Sequence, residues 1–221
     1  MPYSIAIDGP AGAGKSTIAK AVARELGYVY IDTGAMYRAV GLFCIHNQIP
    51  LHDEKSVVSH INEIDISISY DDDGVQQVFL NGENVSSMIR TLEVGEAASS
   101  VSQYQPVRDK LVDLQRKLAS KTSVVMDGRD IASKVLPNAD TKIYLTASVE
   151  ERARRRANEL KEKGESCDLK AVEKEIADRD YRDMHRENSP LTKVPEAILV
   201  DSSDLSIDET IDKILELAMN R

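Results

Sequence analysis

Along most of the chain, short apolar runs alternate with stretches whose apolar positions recur every three to four residues. The runs read as strands covered on both faces, and the longer stretches as amphipathic helices. Five core strands are expected, at residues 3–8, 28–32 (Tyr-Val-Tyr-Ile-Asp), 123–127 (Ser-Val-Val-Met-Asp), 141–146 (Thr-Lys-Ile-Tyr-Leu-Thr) and 197–201 (Ala-Ile-Leu-Val-Asp). Their alternation with helices predicts an α/β fold built on a parallel sheet with helices on both faces. Several strands end in or just before Asp or Thr, so polar groups gather at the carboxyl ends, the edge where open α/β sheets bind ligands.

Helix starts are marked at Ser148-x-x-Glu151 and Ser206-x-x-Glu209, both of capping-box spacing. Ile207, Ile211, Ile214, Leu215 and Ala218 give the last helix an apolar stripe that is expected to pack on the sheet. One region breaks the alternation. Residues 65–70 alternate with period two, Asp71-Asp72-Asp73-Gly74 supplies a turn, Val75 to Leu80 returns, and Asn81-Gly82 turns again, which predicts a small antiparallel β insertion over about 64–86. A calcium loop anchored on Gly74 would place Ser69 first and Leu80 last, where Asp and Glu are required, so the acidic turn reads as a hairpin.

The 221 residues suffice for one large α/β unit with an insertion. A formal charge of −9 argues against nucleic-acid or membrane-surface partners held by global electrostatics, leaving anions to be caught by local basic clusters. Cys44 lies in an apolar run and reads as a buried thiol, while Cys167 lies in a polar stretch; neither suggests a disulfide framework or a zinc site. With no signal-like or membrane-spanning apolar segment, a soluble, cytoplasmic protein is expected, and a monomer, since no exposed apolar interface is evident.

The chemistry concentrates at Gly9-Pro10-Ala11-Gly12-Ala13-Gly14-Lys15-Ser16, followed by Thr17. This is a complete phosphate-binding P-loop: the glycines let successive N–H groups point into one cavity, Lys15 reaches the β- and γ-phosphates, and the Ser16 hydroxyl is placed to ligate Mg²⁺. Residues 3–8 run into it as a strand, and Lys15 to Leu26 lead out as a helix whose positive end faces the phosphates, stopped by Gly27. Lys15 is expected to be an exposed loop lysine. Asp32-Thr33-Gly34-Ala35-Met36-Tyr37-Arg38 opens a helix after the second strand, where Thr33 and Arg38 could meet a second ligand; an ordinary helix start is the bland alternative. Asp127-Gly128-Arg129-Asp130 closes the third strand, with Asp127 in the position of a metal-holding carboxylate and Arg129 and Asp130 projecting into the same cleft, although Asp-Gly also reads as a plain turn. Arg152, Arg155 and Arg156 share one helix face, and Arg179, Arg182, Asp183 and Arg186 recur at helical spacing on a later helix. Two Arg-bearing helices joined by a polar tip near Lys163 and Gly164 make a lid; solvated charged faces are the alternative.

Together these motifs closely resemble the bacterial cytidylate kinases over nearly the whole chain. The resemblance implies a P-loop NTPase fold of the nucleoside monophosphate kinase kind, with a core at about 1–60, 104–147 and 190–221. It implies a nucleotide-binding insertion at about 61–103 and a lid at about 148–189. It also implies that Gly9 to Thr17, with Arg155 and Arg156, bind ATP, and that Ser16 and Asp127 hold Mg²⁺. Thr33, Arg38, Arg129, Arg179, Asp183 and Arg186 are implied around the phosphate and sugar of CMP or dCMP, with Ser99, Arg108 and Asp130 at the cytosine. In relatives position 33 is also Ser and position 16 also Gly. The expected reaction is phosphoryl transfer from ATP to CMP or dCMP, in which Lys15, Arg129, Arg179 and Arg186 offset charge. It needs no base, in keeping with His46, His52, His60 and His185 forming no evident cluster. A kinase for UMP, AMP or shikimate, a guanine-nucleotide switch, and a scaffold without turnover remain as alternatives; the switch lacks an Asn-Lys-x-Asp tetrad.

Overall fold

In the computed structural model, which describes residues 2–162, 164 and 166–220, the elements follow largely in a βα alternation, interrupted by a small antiparallel sheet. They are β1 (Ser4–Asp8), α1 (Lys15–Leu26), β2 (Val29–Asp32), α2 (Thr33–His46), α3 (Glu54–Ser59), β3 (Ile66–Tyr70), β4 (Gln76–Leu80), β5 (Glu83–Asn84), α4 (Leu92–Val101), α5 (Gln105–Ala119), β6 (Val124–Gly128), a π-helical turn (Ile131–Val135), β7 (Thr141–Thr146), α6 (Val149–Glu162), α7 (Leu169–His185), β8 (Ile198–Asp201) and α8 (Ile207–Met219). Strands β2, β6, β1, β7 and β8 form one parallel sheet in that order, each within one residue of its expected bounds.

Period-two alternation sends successive side chains to opposite faces, and both faces are buried. Ala6, Ile31 and Met126 pack with Met36, Val40, Ile89 and Leu111 on one side. Ile5, Ile7, Val125 and Leu145 pack with Ile18, Val22 and Ile214 on the other. Because β1 is the middle strand, the loop after it opens at the centre of the carboxyl edge. That loop leaves the sheet through Gly9, where a Cβ would sit 1.9 Å from Leu145 O, so only glycine fits.

Caps place most helix starts as expected. The Asp32 carboxylate accepts from Ala35 N–H at 3.0 Å, and Ser206 with Glu209 forms a complete capping box. The Ser148 box is only half made: its hydroxyl accepts from Glu151 N–H, but the Glu151 carboxylate is taken by Arg154 and Arg155 and Ser148 N–H turns to Ser203. In α8 the stripe is buried at Ile214 and Ala218 and partly buried at Ile211 and Leu215, whereas Ile207, in the first turn, is 58% exposed. Cys44 is buried, which raises its thiol to about 11.

The expected insertion is a three-stranded antiparallel sheet, β3-β4-β5, in which Ile66 faces Leu80 and Tyr70 faces Gln76. Its second turn has positive φ at both Asn81 and Gly82, as a two-residue hairpin requires. This sheet meets the outer edge of β2 through side chains. Gln76 accepts from Asp32 N–H at 2.9 Å and donates to Asp32 O at 3.2 Å, and Tyr70 donates to Tyr30 O at 3.0 Å. Helix α4 lies close on α2, where a Cβ at Gly41 would come within 2.9 Å of Ala98 N. By contrast α6 and α7 form an antiparallel hairpin with its own small core of Ala153, Val172 and Ile176. Lys163, expected at its tip, lies outside the described residues.

Candidate active site

The carboxyl ends of β1, β2 and β6 meet helices α4 to α7 around one cleft of about 720 Å³. On its floor, Ser16 Oγ donates to Asp127 Oδ2 at 2.9 Å. The other oxygen of Asp127 accepts from the Tyr30 hydroxyl at 2.7 Å, and its backbone carbonyl accepts from Thr33 Oγ1 at 2.7 Å. Burial raises the Asp127 carboxyl above its ordinary value, and burial with the Asp127 charge raises the Tyr30 phenol. Hydroxyl and carboxylate are thus preassembled where strand registry sets β6 beside β1, with Ile7 opposite Asp127.

Lys15 is buried, not exposed as expected for a loop lysine; its Nζ donates to Pro10 O at 2.7 Å. Burial, and then the nearby Arg129 guanidinium, push its ammonium down to about 7. Arg129 is itself held by Asp183 of α7 at 2.8 Å. Burial alone would raise the Asp183 carboxyl, but the Arg129, Arg179 and Arg186 charges hold it below its ordinary value. Burial and Arg129 bring Arg179 down to about 10. Two buried nitrogens here, Arg179 Nε and Arg186 Nη2, have no hydrogen-bond partner among the described residues. A desolvated, unpartnered guanidinium is costly unless an anion completes it.

On the far side, Arg108 pairs with Asp130, donates to Ser102 O at 2.9 Å and lies 5.5 Å above the Tyr37 ring. Arg108 is 2% exposed and Asp130 5%, so both are fixed parts of the wall; Arg108 Nε is also without a partner among the described residues. Ser99 lines the same wall. Arg38 donates to Ile89 O at 2.9 Å and to Thr91 O, and burial lowers its pKa.

The cleft therefore gathers Ala11, Gly12 and Gly14 to Thr17 with Thr33, Arg38, Ser99 and Arg108. It also takes in Asp127, Arg129, Asp130, Arg156, Arg179, Asp183 and Arg186. Gly9, Pro10 and Ala13 do not line it. Arg152, Arg155 and Arg156 of α6 do not share a destination. Arg156 lines the cleft and pairs with Glu159, Arg155 is bonded to Glu151 and to Ser202 at 2.7 Å, and Arg152 is buried against Asp180. None of the four histidines lines the cleft, and among the described residues no cluster of three His, Cys, Asp or Glu could hold a metal.

Several residues escaped the sequence reading. Asp8 accepts from Ile131 N–H and Ala132 N–H, both at 2.8 Å, and so fixes the turn that carries Arg129 and Asp130; burial raises its carboxyl to about 6. Its signal was its place, an Asp closing a core strand as Asp32, Asp127 and Asp201 do. Tyr30 and Asp180 gave none, since a strand tyrosine and a helical aspartate read as ordinary.

A glycine loop between a central parallel strand and a helix, with a serine bonded to the neighbouring strand's carboxylate, defines a P-loop NTPase fold. Its cleft lies between the core and two added elements. The cytidylate kinase family model matches residues 5–220, and the chain belongs to that family. A cytidylate kinase of Caldicellulosiruptor bescii is 54% identical over 97% of this chain and 94% of its own length. One from Lactobacillus johnsonii is 50% identical over 98% and 94%. Among solved structures, an uncharacterized protein from Eubacterium ventriosum aligns over 100% of both chains with a TM-score of 0.54 at 14% identity, a likeness of fold alone. No helix among the described residues is long and apolar enough to cross a membrane.

Proposed function

We propose that the chain transfers the γ-phosphoryl group of ATP to CMP or dCMP, giving ADP and CDP or dCDP. The carrying observation is the pair of unpartnered buried nitrogens on Arg179 and Arg186, in a cleft that also holds Lys15 and Arg129. Two phosphate groups of about −2 each, roughly 5 Å apart, repel by on the order of 10 kcal/mol at an effective dielectric near 20. These four cations offset that repulsion and the charge that develops in transfer. The acceptor phosphate is ionised at neutral pH, so alignment and charge neutralisation suffice without a base.

Thr33, Arg38, Arg129 and Asp183 position the acceptor, with α6 and α7 as a lid over residues 148–189 and residues 61–103 as the nucleotide-binding insertion. The P-loop and Arg156 hold the donor; Arg155 would have to leave Glu151 and Ser202 to join them. The residues fit a magnesium ion, because the Ser16 and Asp127 oxygens already converge and a single carboxylate completed by water and phosphate is this ion's usual protein share. Bound there, Mg²⁺ would supply charge to the donor phosphates.

Asp130 accepts from the cytosine amino group while Arg108 and Ser99 address its acceptor edge; uracil sets an oxygen against the carboxylate. Asp130→Asn is expected to lose CMP activity and narrow the gap between CMP and UMP. A CMP:UMP ratio of kcat/KM equal to wild type in that variant removes Asp130 from base reading. The reading as a whole is tested by steady-state rates with CMP, dCMP, UMP, AMP and shikimate. Turnover led by any acceptor but CMP or dCMP, or hydrolysis indifferent to acceptor, overturns it.

A further inference from the structure

The α6–α7 hairpin grips the P-loop at a single residue, from the side away from the cleft floor. Ala11 N–H donates to Asp180 Oδ1 at 3.2 Å, and Ala11 O accepts from Arg152 Nη1 at 2.8 Å. Arg152 and Asp180 are themselves paired at 2.6 Å, and Arg152 Nε donates to Ala147 O at 2.9 Å. The ring is dry: Ala11 is 8% exposed, Arg152 4% and Asp180 7%. The loop lies directly on α6, since a Cβ at Gly12 would meet Arg152 Cβ at 3.3 Å. Both polar groups of one P-loop residue are therefore held by an ion pair that bridges the two helices of the hairpin.

Two features make this more than a tie. A buried ion pair by itself is often no more stable than apolar side chains of the same volume, because desolvation cancels its attraction; what this pair adds is a directional hold on Ala11 N–H, Ala11 O and Ala147 O. Asp180 also directly follows Arg179 and lies one turn before Asp183, both of which line the cleft. A shift of the Ala11 peptide on donor binding must move the segment of α7 that presents Arg179, and the reverse holds equally.

We propose that Arg152 and Asp180 are positioning residues. They set the orientation of the P-loop at Ala11, and through it they couple donor binding to the placement of the α7 groups that meet the acceptor. The inference rests on the phosphoryl-transfer reading above. In it, occupancy of the P-loop tightens acceptor binding, and the clamp is the route by which it does so.

The test is titration calorimetry of CMP on the full chain, with and without Mg²⁺ and a non-hydrolysable ATP analogue, alongside KM values for ATP and CMP. Wild type is expected to bind CMP about fivefold or more tighter with the analogue present, within the usual range of such coupling. Replacing both charges, Arg152→Met with Asp180→Leu, leaves neither charge stranded but takes the side-chain partners from Ala11 N–H, Ala11 O and Ala147 O, so a folded protein with a lowered melting temperature is expected. In that variant the analogue no longer tightens CMP, and KM for ATP rises roughly tenfold, more than KM for CMP. Asp180→Asn, which keeps an oxygen for Ala11 N–H but removes the charge, is expected to lose part of the coupling, and it serves if the double variant does not fold. A folded variant that keeps both the wild-type coupling and the wild-type KM for ATP overturns the proposal, as does wild-type protein in which the analogue leaves CMP affinity unchanged. A wild type that neither binds nor turns over CMP overturns the functional reading instead. The clamp is then judged by the analogue's own affinity, and equal values in wild type and double variant sink it.

Discussion

The insertion of β3 to β5 with α4 and the hairpin of α6 with α7 both border the cleft, yet they are joined to the sheet by different physics. The insertion shares the core's apolar cluster: Ile66, Val78, Leu80, Val94 and Val101 pack with Met36, Val40 and Leu42. Its polar links run mainly to backbone, Gln76 on the Asp32 peptide, Tyr70 on Tyr30 O and Arg38 on Ile89 O and Thr91 O, with a half-exposed ion pair between Arg90 and Asp32 at 3.3 Å. The hairpin instead has a separate core of Ala153, Val172 and Ile176 and reaches the rest through charged side chains: the Arg152–Asp180 pair, internal to the hairpin, holds the Ala11 peptide groups, and Asp183 pairs with Arg129. Apolar burial is non-directional and is lost only by separating surfaces, whereas an ion pair changes when a competing charge such as a phosphate arrives. The wall that carries Ser99 is accordingly built as fixed structure, and the wall that carries Arg179, Asp183 and Arg186 as one that answers its ligand.

The largest effect is expected between the two walls. Lys15→Met should reduce kcat by more than about a hundredfold, above roughly 2.7 kcal/mol, without loss of stability, since it removes a buried charge whose pKa burial has lowered. A retained rate above about a tenth of wild type, measured with ATP and CMP, removes Lys15 from its role.

Next, the two cores can be cut separately. Leu80→Ala in the shared cluster should cost about 2–4 kcal/mol in urea unfolding, as buried Leu→Ala changes do. Val172→Ala, in the hairpin's own core, should leave the global midpoint nearly unchanged and lower exchange protection in α6 and α7 alone. Equal global losses would mean that the hairpin is as firmly joined as the insertion.

A smaller loss is expected from Gln76→Ala, about 1–3 kcal/mol, because Asp32 N–H and its carbonyl are left buried without partners. No loss would show that water replaces the side chain and that the β2 edge is not sealed by it. The smallest effect is in exchange rates on ligand binding. Amides of α6 and α7, with Gly164, should slow when an ATP analogue and CMP bind together, while those of β3 and β4 stay as they were. Slowing shared equally by both regions would erase the contrast.

The sequence alone determined everything that depends on near neighbours along the chain. Strand bounds follow from runs of apolar residues, the P-loop from residue spacing, α1 from its bounding glycines, and the hairpin at Asn81-Gly82 from turn chemistry, since each rests on backbone preferences within a few positions. Motif spacing and family likeness also named the cations of the cleft. Tertiary structure decided what those local pieces meet. The registry of β1 with β6 joins Ser16 to Asp127, 111 positions apart in the chain, and only the fold turns Arg152 inward to Asp180 while Arg155 goes to Ser202. Burial of Lys15, the half-made cap at Ser148 and the exposed Ile207 were likewise set by which surfaces close over them. Spacing along a helix gives the face on which a charge lies; its partner and its exposure depend on what packs against that face, and that is a property of the whole chain.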